Sequence, residues 1–501
     1  MPLIETALAV TALAVLPLGF IVFVSVQTGP AMGGSLLFRP RVAELLLNSA
    51  ALLALSVPLC AVLAFALAWF TERTDLPGAR FWSGAMAAPL AVPAFVQGYA
   101  WVSTVPGLHG LPAATLLSVL TYFPFMFLPF AATLRRLDPA WEDAAATMGL
   151  PPGQVLRRVV APQMRLALLA GTLLVGLHLL AEYGLFAMVR FDTFTTAIMD
   201  QFQSTFAGPA SNMLGVVLVL SCFILLGAEA RLRGLGRYAR LGSGAARPVR
   251  KLPLGRWMVP GLLFLTLVLL LSLGVPALTL GRWLLVGGAA VWRLDEVGAA
   301  LGQTALLAAA GGVLTVAAAF PVTWLATRRP GRLERGLEAL NLLAGALPGV
   351  VIALALVTVS VRLIHPLYQT AATALIAYIL MFLPRAVLGL RASLAQVPAE
   401  LEQAAAALGR SPGRALRDVT LRLAAPGIAA AASLVALGIA TELTATQMLA
   451  PAGVQTLATA FWSYSGEIDY AAAAPYAVLM IAISAPITVL LYRQSVLASG
   501  R

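Results

Sequence analysis

The sequence predicts an all-α membrane protein of about twelve transmembrane helices in two parallel six-helix repeats. Three observations predict it: an apolar composition, a succession of apolar runs long enough to cross a bilayer, and a second half that repeats the first. The 501 residues are 60% apolar and only 11% charged, with a mean hydropathy of +0.90. Soluble chains carry roughly 25% charged and 45–50% apolar residues, so a soluble fold is excluded. The net charge of +12 does not point to nucleic acid, because in a membrane chain a basic excess gathers in cytoplasmic loops that face anionic lipid. Cys60 and Cys222 lie within apolar runs and read as small hydrophobes rather than disulfide partners or metal ligands.

A hydrocarbon core of ~30 Å takes about 20 residues of helix at a rise of 1.5 Å per residue. Twelve runs qualify, at residues 4–26, 45–70, 82–102, 112–134, 166–189, 212–230, 257–276, 300–326, 338–361, 367–390, 425–447 and 473–492. The first is longer than a signal-peptide core and has only Glu5 at its head, so a retained span is expected rather than a cleaved leader. With the N-terminus inside, the inward loops collect 27 basic residues. They include five Arg between 135 and 165, seven Arg plus Lys251 between 231 and 256, and six Arg between 385 and 422. Only Arg39, Arg41, Arg190, Arg282, Arg293 and Arg362 fall outside. That asymmetry places both termini in the cytoplasm.

The repeat runs at two offsets. At 255 residues Asn48 meets Gln303, Trp69 meets Trp324, Pro93 meets Pro348, and Met126-Phe127-Leu128-Pro129 meets Met381-Phe382-Leu383-Pro384. At 260 residues Glu142 meets Glu402, Gly149 meets Gly409, Pro152-Gly153 meets Pro412-Gly413, and Glu182 meets Glu442. A five-residue insertion in one loop accounts for the change. An even number of spans per repeat makes the halves parallel, related by an axis along the membrane normal. The expected organisation is a first six-span repeat over 1–230, a basic Gly-rich cytoplasmic linker over 231–256, and a second six-span repeat over 257–501.

Two matched loops stand between spans four and five and between spans ten and eleven. Residues 137–153 and 397–413 each read as a short helix, a stop and a second helix. Acidic residues open the helix, Ala propagates it, and Gly149 or Gly409 takes the left-handed cap that ends it. In the second copy Ser411-Pro412 supplies an N-cap and an N1 proline for the restart; in the first, Pro151 stands in the serine's place. Small side chains would let a partner surface approach closely, with Trp141, Met148 and Leu408 as apolar anchors. A helix packed on its own bundle is the alternative.

Both loops resemble the coupling motif of ABC importer permeases: Glu-Ala-Ala, three residues, then Gly. The matching positions are Asp143, Ala144, Ala145 and Gly149 in the first copy, and Gln403, Ala404, Ala405 and Gly409 in the second. Asp143 and Gln403 replace the family's glutamate, with Glu142 and Glu402 one residue earlier; Arg422 stands where a closing proline would be. Two such motifs in one chain, with the flanks Phe191-Asp192-Thr193-Phe194-Thr195-Thr196-Ala197 and Thr441-Glu442-Leu443-Thr444-Ala445-Thr446, resemble the fused iron(III) permeases. The resemblance implies a type I ABC importer permease fold and a bacterial cytoplasmic membrane location. It further implies a separate ABC ATPase dimer at the cytoplasmic face and a periplasmic or lipid-anchored substrate-binding protein. ATP and Mg would then belong to the partner subunit and no cofactor to this chain. Consistent with that division, Lys251 is the only lysine and no P-loop surrounds it, although a P-loop lysine must reach the phosphates.

Glu182 and Glu442 fall inside spans five and eleven, and ionisable groups there are expensive unless they face water or a partner. They are candidates for the translocation pathway, with His178 one helical turn before Glu182; paired carboxylates suit a hard cation such as Fe³⁺. Interhelical hydrogen bonding that merely holds the bundle is the other reading of all three, and no metal ligand set can be assigned. Asn48, Gln303 and Gln447 read as interhelical glue, and Pro89, Pro93, Pro124, Pro129, Pro348 and Pro384 as kinks. Competing cargoes within the class are thiamine, a polyamine or an organophosphonate. A proton-coupled secondary carrier with twelve spans is a rival of another class. A membrane enzyme finds no His-Glu-x-x-His or Gly-x-Ser-x-Gly motif.

Overall fold

The computed structural model describes residues 2–204, 208–234 and 251–497. Among these residues the regular structure is helical, apart from one isolated bridge between Thr74 and Leu252. Residues 235–250 of the expected linker lie outside the described residues. In chain order the helices used below are α1 Pro2–Thr28, α2 Pro40–Arg73, α3 Ala94–Thr104, α4 Gly110–Arg136, α5 Pro139–Thr147, α6 Arg165–Ala181, α7 Gly184–Met188, α8 Gly208–Arg233 and α9 Met258–Leu269. There follow α10 Val275–Gly287, α11 Leu294–Arg328, α12 Arg332–Ala344, α13 Gly349–Arg362, α14 Ala371–Leu394, α15 Ala399–Ala407, α16 Arg422–Ala440, α17 Thr444–Leu449 and α18 Tyr470–Leu497.

Nine helices among the described residues are long and apolar enough to cross a membrane, and three bent pairs bring the number to twelve if each pair is one span. The bent pairs coincide with expected spans three, five and nine: Ala79–Ala91 with α3 at 89°, Gly153–Gln163 with α6 at 60°, and α12 with α13 at 100°. Proline explains two of the bends. Pro93 and Pro348, paired in the sequence repeat, sit as extended N-caps at the starts of α3 and α13. A proline has no N–H for a preceding turn to use, and it forces the residue before it out of the helical region. Pro124, Pro129 and Pro384 by contrast remain inside α4 and α14.

Two compact units emerge. One comprises Pro40–Thr196, Leu220–Gly288 and Ile481–Arg501; the other comprises Met1–Arg39, Ala197–Val219 and Ala289–Met480. The 40–196 unit is organised by α2, α4 and α6, which pack against one another around a core holding Leu52, Leu67, Phe123, Phe127 and Leu134. On its α3 lies α10: Thr279 Oγ1 is 2.8 Å from Thr104 Oγ1, and Trp283 Nε1 donates to Ser103 Oγ at 3.3 Å.

The 289–480 unit is organised by the repeat equivalents α11, α14 and α16. Here Gly312 lets α11 close on α16, since a Cβ at that position would lie 2.8 Å from the Ala432 carbonyl oxygen; small residues are what permit such approach between apolar helices. α1 packs along α11 and α12, where the buried Asn341 donates through Nδ2 to Thr11 Oγ1 at 2.7 Å. The contact units therefore trade their first helices relative to the sequence repeat: α1 goes with the second triplet and α10 with the first.

Two expectations are corrected. Spans five and eleven do not run through to residues 189 and 447; α6 ends at Ala181 and α16 at Ala440, each giving way to a short helix, α7 or α17. Arg385, counted with the inward-loop cations, lies inside α14, because the apolar residues on both sides of it carry the helix past the charge.

Candidate functional site

The matched loops form the same object twice. Asp138 accepts a hydrogen bond from the Ala140 N–H at 3.0 Å and starts α5; Pro398, extended, precedes α15. Both helices end in a left-handed glycine, Gly149 at φ +81° and Gly409 at φ +83°. The Leu150 N–H returns to the Ala145 carbonyl at 3.2 Å and the Gly149 N–H to Ala146 at 2.9 Å. Arg410 to Ala405 and Gly409 to Ala406, both at 3.0 Å, repeat the pattern. These paired six-to-one and five-to-two bonds are a Schellman motif. A side chain at either glycine would have open space, so the constraint there is the backbone angle and not packing.

The chain then restarts as Pro152–Val155 or Pro412–Ala415 and passes through a π-helical stretch, Leu156–Val160 or Leu416–Leu421. The restart forms in the first copy despite Pro151, whose carbonyl accepts from the Val155 N–H at 3.1 Å. In the second copy Pro412 takes N1 as expected, but the Ser411 side chain makes no capping bond; its carbonyl alone accepts, from Ala415 N at 2.9 Å.

Each short helix is tied by an acid to an arginine at the end of a long helix. Glu142 pairs with Arg73 at the end of α2, whose side chain is only 3% exposed. Glu402 pairs with Arg328 at the end of α11 at 2.9 Å, with side chains 18% and 10% exposed. Arg328 also donates to the Val397 carbonyl at 2.9 Å, and Thr420 Oγ1 donates to Glu402. The opposite faces are open. Asp143, Ala144, Gln403 and Ala404 are exposed, whereas Ala145 is buried and Ala405 half-buried. At the ends Trp141, Met148 and Leu408 are 50%, 74% and 85% exposed. Each element is thus a rigid strut, seated on its own triplet by an ion pair and presenting small and apolar side chains outward. Sequence reasoning named Glu142 and Glu402 but missed Arg73, Arg328, Thr420 and the π-helical stretches. The signal for the arginines was available, since they too are 255 residues apart.

The polar groups within the spans form a second set. Glu182 accepts from Tyr122 Oη at 2.6 Å and from the Leu185 N–H at 2.9 Å. Glu442 accepts from the N–H groups of Ala445 and Thr446, both at 2.9 Å, and from Thr446 Oγ1 at 2.7 Å. Both carboxylates therefore sit at the start of the short helix that follows them, where free N–H groups and the helix dipole favour negative charge. His178 places Nδ1 2.8 Å from the Leu174 carbonyl and its ring 4.5 Å from that of Phe125. Asn48 and Gln303 hold loop backbone: Asn48 donates to the Asp192 carbonyl at 3.0 Å, and Gln303 accepts from Gln455 N at 2.6 Å. Among the described residues no three of His, Cys, Asp and Glu converge as a metal cluster.

The model of the family described as "Binding-protein-dependent transport system inner membrane component" matches residues 1–233 and 316–497. The Fe(3+)-transport system permease protein FbpB 2 of Haemophilus influenzae is 35% identical over 474 residues, covering 94% of this chain and 93% of the relative. The sulfate transport system permease protein CysT of Salmonella typhimurium is 28% identical over 185 residues, 33% of this chain and 67% of the relative. CysW of Synechocystis sp., another sulfate permease, is 26% identical over 150 residues, 27% of this chain and 54% of the relative.

Proposed function

Because this chain belongs to the family of binding-protein-dependent transport system inner membrane components, we propose that it is the multi-pass permease of an ATP-driven importer whose cargo is iron(III). The observation that carries the reading is the duplicated strut: α5 and α15, each closed by a left-handed glycine and tied to a long helix by Glu142–Arg73 or Glu402–Arg328. The cargo is supported by likeness to an Fe(3+) permease along 94% of the chain. Sulfate is the competing cargo, through permeases that align with about a third of the chain at 28% identity.

In this reading α5 and α15 face the cytoplasm and seat in a separate ABC ATPase dimer, which holds ATP and Mg, while a periplasmic or lipid-anchored binding protein delivers cargo to the other face. Both termini lie in the cytoplasm of a bacterial cell, as the inward excess of basic residues favours even with Arg385 set aside. Closure of the ATPases moves both struts. A loose loop would absorb that movement, but a capped helix bonded to the end of α2 or α11 passes it to the triplet behind, which is rigid-body switching. Glu142 and Glu402 serve the tether, and Asp143, Ala144, Gln403 and Ala404 form the contact face. Glu182, Glu442 and His178 flank the pathway as positioning groups: the carboxylate oxygens of Glu182 and Glu442 already accept bonds that hold α7 and α17 and the His178 ring meets the Leu174 carbonyl, so cargo passes without a tight site that would slow its release.

The test is reconstitution of the chain with its ATPase and an iron-binding protein in liposomes. ATP-dependent ⁵⁵Fe accumulation, lost when the ATPase is omitted, is the expected result. Stimulation by a sulfate-binding protein and sulfate, and not by iron, would move the cargo; accumulation without any ATPase would overturn the reading.

A further inference from the structure

α14 carries two arginines, and they differ. Arg391 pairs with Glu338 at 3.1 Å. Arg385 lies deeper, nine residues before the end of α14 at Leu394, about 13 Å along the helix axis. Among the described residues no carboxylate, carbonyl or hydroxyl accepts a hydrogen bond from it. Its guanidinium is nevertheless held in place. The Phe382 ring lies 5.1 Å from the guanidinium carbon, and on α16 the missing side chain of Gly438 makes the space: a Cβ there would fall 2.5 Å from Arg385 Nη1 and 2.5 Å from Phe382 Cε1.

Glu442, four residues past Gly438 and beyond the end of α16 at Ala440, does not pair with it: both its oxygens accept from Ala445 and Thr446. The outward side is open: Arg385 and Leu388, which share one face of α14, are exposed. The first repeat has no counterpart, because Phe130 occupies the matching position and is 2% exposed.

A positioned guanidinium at membrane depth with its N–H donors unspent is costly unless something accepts them. Its planar fork matches a carboxylate or phosphate group two bonds at a time. We propose that Arg385 is a binding site for an oxyanion, a phosphate or carboxylate group supplied either by a membrane phospholipid or by a soluble anion.

The full chain in phosphatidylcholine nanodiscs provides the test, in two arms. Native mass spectrometry counts phosphatidylglycerol retained when that lipid is doped in, and filter binding measures radiolabelled inorganic phosphate and citrate in its absence. The wild-type chain is expected to hold one equivalent in one arm. Arg385→Gln should weaken that binding by about tenfold or more, the scale of a lost charge-assisted contact, and Arg385→Lys should keep part of it. Gly438→Ala, which leaves the charge in place but fills the space beneath it, should weaken binding as well, and covers the case in which Arg385→Gln does not fold. Retention of phosphatidylglycerol alone assigns the site to lipid, and binding of phosphate or citrate assigns it to a soluble anion. No binding in either arm, or equal binding by the wild-type, Arg385→Gln and Gly438→Ala chains, would overturn the proposal.

Discussion

Removing Glu402 should cost more than removing Glu402 and Arg328 together. In Glu402→Met the Arg328 side chain, 10% exposed, keeps only the Val397 carbonyl, and Thr420 loses its acceptor. Breaking a fully buried ion pair costs roughly 3–5 kcal/mol and an exposed one about 0–1 kcal/mol. Side chains 10% and 18% exposed fall between these limits, so a single substitution should cost about 2 kcal/mol. The double variant Arg328→Met plus Glu402→Met removes both charges and leaves neither stranded, so it should recover roughly 1 kcal/mol or more of that loss. The assay is a double-mutant cycle by SDS titration in detergent micelles, with uptake measured alongside in liposomes. In uptake the singles and the double should all fail alike, since each frees α15 from α11. Losses additive within about 0.5 kcal/mol, together with wild-type uptake, would refute the argument that this pair fastens the strut.

The other predictions are narrower. Gly149→Arg plus Gly409→Arg should preserve membrane insertion while uncoupling ATP hydrolysis from uptake, because each position holds a φ near +80° that costs a non-glycine residue about 1–2 kcal/mol; normal uptake in the double variant would remove the coupling assignment. Glu442→Gln should lower resistance to thermal unfolding by about 1–3 kcal/mol, since an amide oxygen is a weaker acceptor for Ala445, Thr446 and the Thr446 hydroxyl, and fluorescence-detected gel filtration after heating would show it. Asn341→Leu should remove the bond to Thr11 at a cost of only about 0.6 kcal/mol, the scale of such bonds within bilayers; crosslinking between cysteines placed on α1 and α12 would report whether the two helices still meet.

How much of this was legible in the sequence depended on how far the partner lay. Apolar runs announced the spans, and the glycine stops of α5 and α15 were readable because a cap is settled within a few residues. Six prolines were visible as possible kinks, yet only Pro93 and Pro348 stand at the large bends, since whether a helix tolerates proline depends on which neighbour satisfies the freed carbonyl. Glu182 and Glu442 were visible as a pair, but hydropathy ran through them, so their place at the start of α7 and α17 was not. Arg73 finds Glu142 across 69 residues of chain, a distance over which local pattern says nothing. The placement of α1 beside α11 and α12 was invisible for the same reason: an apolar helix does not name its neighbour.

That placement bears on how the chain is made. Thr11 meets Asn341 across 330 residues, and at translation rates of about 5–20 residues per second the ribosome takes roughly 17–66 s to deliver the second after the first. For all of that time α1 must persist in lipid as a solitary span, its buried hydroxyl bonded only to the Ala7 carbonyl of its own preceding turn. Neither half of the polypeptide can finish assembling before the other has emerged, so fusing the halves into one chain guarantees every nascent α1 a docking surface of its own at a fixed stoichiometry.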